Sequence, residues 1–281
     1  MPVIKLIADS GATKAEWCLL QEGRSKTFFT QGISPYFLNT KQIADLLKKE
    51  LYSKLKKYKI DEIYYYGTGC VSTVNARSVK KAIQLVFLNT KKIEVTHDLM
   101  AAARALCGRN KGVVANLGTG SFCCYYNGNK IIKQIPGIGY VLGDEGSGAY
   151  LGKKVIQYYL YEIFDDDLRA RFNAKYVTNR AEVLESVYKK PLPNRYLASF
   201  TMFLAENRGH YMIENIISDG LNDFFFNHLR RFKEAKNFPV HFAGGVAFGF
   251  QDVLQDLCGT YQLKLGKVLK NPMPGLIEYH R

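Results

Sequence analysis

The chain has 281 residues, 47% of them hydrophobic and 23% charged, which suits a soluble globular fold long enough for two compact lobes. No apolar run approaches the ~18 residues of a membrane span, and the N-terminus runs into a strand without a basic stretch or cleavage site, so a cytoplasmic protein with no membrane partner is expected. The net charge of +14 raises nucleic acid as a partner, a reading that the placement of the lysines argues against.

Short β-type runs are predicted at 3–8, 16–20 and 26–29, joined by turns at Ser10-Gly11 and Glu22-Gly23. A helix is expected over 41–57, where Leu47, Leu51 and Leu55 recur at i, i+4, i+8 and Lys48, Lys49, Lys54, Lys56 and Lys57 turn to water. Such lysines form a solvated face, and no nucleic-acid partner is expected. Strand 62–66, helix 76–86, strand 92–96 and a helix over 99–106 follow. The pattern then restarts with strands 112–116, 120–126 and 129–135, the last two forming a hairpin across Asn127-Gly128. Helices are expected at 147–163, 180–188, 194–206 and 211–233, the last carrying Phe224, Phe225 and Phe226 as core. Strand 240–243 and a short terminal helix complete the chain.

Six cysteines lack Cys-x-x-Cys spacing and the five histidines are scattered, which argues against zinc and iron–sulfur sites. Three glycine-bearing stretches each end a strand-like run: Asp9-Ser10-Gly11-Ala12-Thr13-Lys14, Leu117-Gly118-Thr119-Gly120-Ser121 and Ala243-Gly244-Gly245-Val246-Ala247. Glycine lets backbone N–H groups approach phosphate oxygens closely. One such turn is commonplace, whereas three in this order, opening with Asp and Thr, point to a bound nucleotide.

The order and wording of these stretches resemble the actin-like ATPase and sugar kinase superfamily, with its two phosphate loops and an adenosine loop. Within it, Pro136-Gly137-Ile138-Gly139-Tyr140-Val141-Leu142-Gly143-Asp144-Glu145-Gly146-Ser147-Gly148 is similar to the N-acetylglucosamine kinase branch, grouped with the BadF/BadG/BcrA/BcrD-type ATPases. The motifs run from Asp9 to Gly249. Ser10 stands where many relatives have Gly, and Ser34-Pro35-Tyr36-Phe37 matches only weakly a segment that often carries a sugar-binding Asn. The resemblance implies an α/β protein of two ribonuclease-H-like lobes with a nucleotide cleft between them. The lobes would span 1–105 and 106–269, the second with helical insertions, and the terminal helix at about 270–281 would return to the first.

It also implies ATP and Mg²⁺ as cofactors and a small-molecule sugar, N-acetylglucosamine or a related amino sugar, as substrate. A homodimer is one assembly it allows. Phosphoryl transfer needs donors for the phosphates, a metal ion and a carboxylate aligned with the hydroxyl. Gly11, Ala12, Thr13 and Lys14 match the first phosphate loop, Gly118, Thr119 and Gly120 the second, and Gly244, Gly245 and Gly249 the adenosine loop. Asp9 is the metal candidate, the alternative being an Asp capping its own turn. Asp98, in Thr96-His97-Asp98-Leu99-Met100, matches the family's catalytic base, the alternative being a helix N-cap. Ser121, Gly137, Ile138, Gly139, Asp144 and Glu145 match the sugar-contacting segment, where carboxylates accept from hydroxyls. Competing readings are an energy-coupling ATPase that activates dehydratases or reductases through an iron–sulfur cluster, and a non-catalytic sugar or nucleotide sensor.

Overall fold

Two five-stranded sheets, one in each part of the chain, share a single topology. In the computed structural model, which describes residues 3–11, 14–135 and 137–281, the chain divides into unit 1, Met1–Arg109 with Pro272–Arg281, and unit 2, Asn110–Asn271. Unit 1 holds β1 (Lys5–Ser10), β2 (Lys14–Gln21), β3 (Arg24–Gln31), β4 (Glu62–Gly67) and β5 (Lys92–His97), in the order β3-β2-β1-β4-β5. Unit 2 holds β6 (Lys111–Leu117), β7 (Ser121–Asn127), β8 (Ile131–Ile135), β9 (Val240–Ala243) and β10 (Leu265–Leu269), in the order β8-β7-β6-β9-β10. Each begins as an antiparallel three-stranded meander and continues with two strands parallel to its first. This is the two-lobed ribonuclease-H-like architecture. Parallel strands need long crossovers, and helices supply them.

Burial follows the pleat. In unit 1, Leu6, Ala8, Trp17, Leu19, Ile63 and Tyr65 form a core with the helices of the same unit. Trp17 is wholly enclosed and gives its indole N–H to Thr30 Oγ1 at 3.0 Å, so its one polar atom is satisfied. In unit 2, Val113, Ala115 and Phe242 from the sheet meet a phenylalanine-rich helical layer that includes Phe172, Phe203, Phe224 and Phe225.

Several expected helices are broken. The run over 41–57 is a helix Thr40–Leu47, a π-helical turn Lys48–Tyr52 and a short turn Ser53–Leu55. Asn39 and Gln42 exchange side-chain and backbone hydrogen bonds at its start, forming a capping box. Leu47, Leu51 and Leu55 all stay buried and the lysines exposed, while Glu50 in the π turn accepts the Gln31 N–H at 2.8 Å. The run over 194–206 splits at Phe200, whose buried ring stacks on Phe172. The helix from Tyr211 stops at Asn227. Of its three phenylalanines only Phe224 and Phe225 are core; Phe226 turns outward beneath the Arg230 guanidinium, 4.2 Å from its ring centre. All six cysteines are buried and none forms a disulfide. No described helix is long and apolar enough to cross a membrane.

Candidate active site

Strand register assembles the acidic part of the site within unit 1. Asp9 at the end of β1 pairs in register with Tyr66 of β4, and Tyr66 with Thr96 of β5, so Asp9 and the segment leading to Asp98 end at the same edge of the sheet. The antiparallel β1–β2 pairing sets Glu16 directly across from Asp9. Burial, then the charges of Asp98 and Glu16, raise the Asp9 carboxyl from 3.8 to about 7. Glu16 is raised too, by burial first. Asp98 and Glu16 thus both bear electrostatically on Asp9 at this corner of unit 1, although no three acidic, His or Cys side chains among the described residues come close enough to form a metal-holding group. Glu16 escapes motif reading, although counting back across the β1–β2 turn would have found it.

Asp98 is not an N-cap. The cap position is His97, which makes no side-chain cap hydrogen bond, and Asp98 is the first residue of the helix Asp98–Cys107, accepting the Leu99 N–H on Oδ1 at 2.8 Å. Its second oxygen has no hydrogen-bond partner among the described residues. His97 is half-buried, its Nδ1 is enclosed without a hydrogen-bond partner among the described residues, and burial lowers its pKa. Nearby, Cys70 is buried, and burial together with the charge of Asp98 pushes its thiol up to about 12.

The first loop differs from its expected role in detail. Gly11 donates its N–H to the Lys14 carbonyl at 3.0 Å, so this amide closes the β1–β2 turn and is not directed at a ligand. Lys14 holds its ammonium 3.8 Å from the Phe29 ring centre on the sheet face. Ala12 and Thr13 lie outside the described residues. Ser10 has a use of its own: its Oγ accepts the Ile33 N–H at 3.2 Å, tying the end of β1 to the segment after β3.

Unit 2 gathers the other two loops and the sugar-segment residues. The turn between β6 and β7 closes through Gly118 N–H to Gly120 C=O at 3.0 Å. The helix Gly148–Leu160 docks its first turn there, Gly148 N–H on Gly118 C=O at 2.7 Å and Ala149 N–H on Thr119 C=O at 3.1 Å. These bonds satisfy donors that a helix start otherwise leaves open. Asp144, with φ at +58°, lays its carboxylate over Gly120, where a Cβ would come within 3.0 Å of Oδ2. Burial raises its pKa, opposed by a hydrogen bond from the Ser121 backbone. Gly137 is beside both Ser121 and Asp144, and the Ser121 Oγ is enclosed without a partner among the described residues. Gly120, Ser121, Gly137 and Asp144 therefore form one cluster.

Gly139 takes φ +77°, and Ile138 is exposed, its side chain folding back on Gly143. Pro136 lies outside the described residues. Glu145 is committed elsewhere: His228 Nε2 lies 2.9 Å from its carboxylate, and the His228 ring stacks on Phe224. That contact holds the loop to the Tyr211–Asn227 helix. No local pattern announces His228, 83 residues away. At the third loop, Gly244 adopts φ +111° and a Cβ there would sit 2.3 Å from the Leu117 carbonyl, so the ends of β9 and β6 abut. Gly245 and Gly249 have open space where a Cβ would point.

Unit 1 thus carries an acidic corner, and unit 2 by itself carries a glycine-lined carboxylate beside two strand-end turns. No family model matches the chain. A solved structure from Porphyromonas gingivalis, provisionally named an N-acetylglucosamine kinase, superposes with a TM-score of 0.91 at 37% identity over 98% of both chains. The chain belongs to the N-acetylglucosamine kinase group of the actin-like ATPase sugar kinases. The N-acetylmuramic acid/N-acetylglucosamine kinase of Clostridium acetobutylicum is 24% identical over 146 residues, 48% of this chain and 47% of that protein, so the match spans about half of that relative. A ROK family glucokinase from Streptomyces griseus, solved with glucose and AMPPNP, shares the fold at a TM-score of 0.55 and 15% identity, over 99% of this chain and 98% of that one.

Proposed function

We propose that the protein is an ATP-dependent sugar kinase that phosphorylates N-acetylglucosamine or a related amino sugar. The observation that carries this reading is the pair Asp9 and Asp98, brought to one edge of the unit 1 sheet and electrostatically coupled. The full-length similarity to the Porphyromonas gingivalis protein supports it. Asp98 acts as the base: one oxygen is engaged by the Leu99 N–H, and the other is available to accept the proton of the attacking hydroxyl. Asp144 accepts from the sugar, and the turns at Gly118–Gly120 and Gly244–Gly245 border the nucleotide.

Asp9, with Glu16 across from it, would hold Mg²⁺, because a carboxylate that burial first, and then Asp98 and Glu16, make reluctant to ionise gains from a divalent cation. The ion would neutralise charge on the phosphates. The energy-coupling alternative requires accessible cluster-ligating thiolates. The six cysteines are all buried, and Cys70, the thiol in the most suggestive loop, is held protonated.

The test is ADP release by the full chain with ATP-Mg²⁺ over a panel of hexoses and N-acetylhexosamines. Turnover should appear with an amino sugar, and absence of turnover with every hexosamine would overturn the proposal. Asp98→Asn should lower kcat by ~10²–10⁴-fold while ATP still raises the melting temperature. An active, well-folded Asp98→Asn would remove this residue from the mechanism.

A further inference from the structure

A second concavity opens in unit 1 at the opposite ends of the same strands. Lys5 begins the strand that Asp9 nearly ends, about 13 Å away at ~3.3 Å per residue. Lys92 and Glu94 come from the start of β5, Arg104 from the helix that carries Asp98, and Arg109 and Arg281 from the segments that end the two parts of the unit. The cavity measures about 330 Å³, within the range of small-ligand sites. Five cationic side chains line it with one acidic side chain, Glu94, while Glu62 stands behind the lining Tyr64.

The local bonds leave this charge largely uncompensated. Arg104 Nη1 takes Glu94 at 2.5 Å and the Tyr66 hydroxyl at 2.8 Å, while its Nε is enclosed with no acceptor among the described residues. Lys5 donates to the His280 carbonyl and Lys92 to the Tyr64 hydroxyl at 3.0 Å, which in turn donates to Glu62 at 2.9 Å, so Glu62 and Glu94 are the carboxylates that face Lys92. Arg104 and Arg109 lie over the Tyr279 ring, their guanidinium carbons 5.2 and 5.4 Å from its centre. The buried His280 reports the resulting field, its pKa falling to about 3 through burial and then through Arg104, Lys5, Lys92 and Arg109. A cluster that served only the fold would match its cations with carboxylates, because like charges gathered in one concavity repel.

We propose that this pocket is a binding site for a phosphate monoester or inorganic phosphate, separate from the proposed catalytic corner. Guanidinium forks and ammonium groups converging on one small space match a compact dianion with several acceptor oxygens. The inference does not depend on the kinase reading.

The experiment is calorimetric titration of the full chain with inorganic phosphate and with N-acetylglucosamine 6-phosphate, repeated on the Lys5→Gln/Arg109→Gln double variant. Both probes should bind the native protein, and the double variant should bind them about tenfold or more weakly, with its ATP-Mg²⁺ affinity unchanged. The binding that the double variant loses is the part that belongs to this pocket: a larger loss for the sugar ester than for phosphate assigns the site to an organic ester, an equal or smaller one to the free anion. Either result supports the site. A Lys48→Gln/Lys49→Gln variant removes the same charge from an exposed helix face and should leave binding intact. The proposal is overturned if the native chain binds neither probe at millimolar concentration. It is equally overturned if the two double variants weaken binding alike, which would trace the effect to net charge.

Discussion

At the scale of single residues, Asp9 carries the clearest electrostatic signature. Its carboxyl is raised from 3.8 to about 7 in the folded protein, so the folded state holds this proton more tightly than the unfolded chain. The associated stability is fully present below about 4 and is lost as pH rises through about 7. Asp9→Asn cannot ionise. In metal-free buffer, the melting temperature of the variant minus that of the native chain should therefore grow between about pH 4 and 7. Added Mg²⁺ should narrow the gap at neutral pH by favouring the native carboxylate. Thermal scans across that range with and without Mg²⁺ check both statements, and a difference independent of pH would sink them. Asp9, Asp98 and Asp144 were legible as candidates because each sits in a short motif. Glu16 and His228 were not, since one is defined by strand pairing and the other by a tertiary contact across 83 residues.

Among the elements, strands were more legible than helices. Alternation and turn residues locate each meander, whereas the breaks at Lys48–Tyr52 and Phe200 depend on what each helix packs against. The turn after β9 gives an element-scale test with an internal control. Gly244 holds a backbone conformation that side chains resist, and any Cβ would meet the Leu117 carbonyl. Gly244→Ala should destabilise by roughly 1–3 kcal/mol from strain alone, with the steric contact adding to it. Gly245→Ala, one residue on, enters open space and should change stability by no more than ~0.5 kcal/mol. Urea unfolding of both variants distinguishes them, and equal stabilities would show that the β6–β9 abutment is not a close constraint. If Gly245→Ala folds normally and weakens ATP binding, the nucleotide passes at that position.

For the whole molecule, the restart of the three-stranded meander was readable, because both halves repeat the same alternation of signals, whereas β10 was not among the predicted strands. The tightness with which the last segment joins unit 1 was not, since it depends on side-chain fit. In the helix Met273–His280, Met273, Leu276 and His280 are buried. A Cβ on Gly275 would lie 2.3 Å from the Ala105 carbonyl, so this helix rests directly on the one that begins at Asp98. His280 Nε2 meets the Tyr66 hydroxyl at 2.7 Å and its ring lies against Tyr64, tilted by 30° with centroids 3.9 Å apart. A chain ending at Asn271 should therefore lose amide exchange protection in β4 and β5 while β6 and β9 keep theirs. Unchanged protection in β4 and β5 would show that unit 1 stands without its terminal helix.

That docking also sets an order of events on the ribosome. Residues 110–271 separate the two parts of unit 1 in sequence, and at about 5–20 residues per second their translation takes on the order of ten to thirty seconds. Through that interval the outer face of the Asp98–Cys107 helix, with Tyr64 and Tyr66 of β4, lacks the terminal helix that covers it in the complete fold. The half of the protein made first is therefore the half completed last, and a nascent chain carries its proposed base on a helix whose backing has yet to be synthesised.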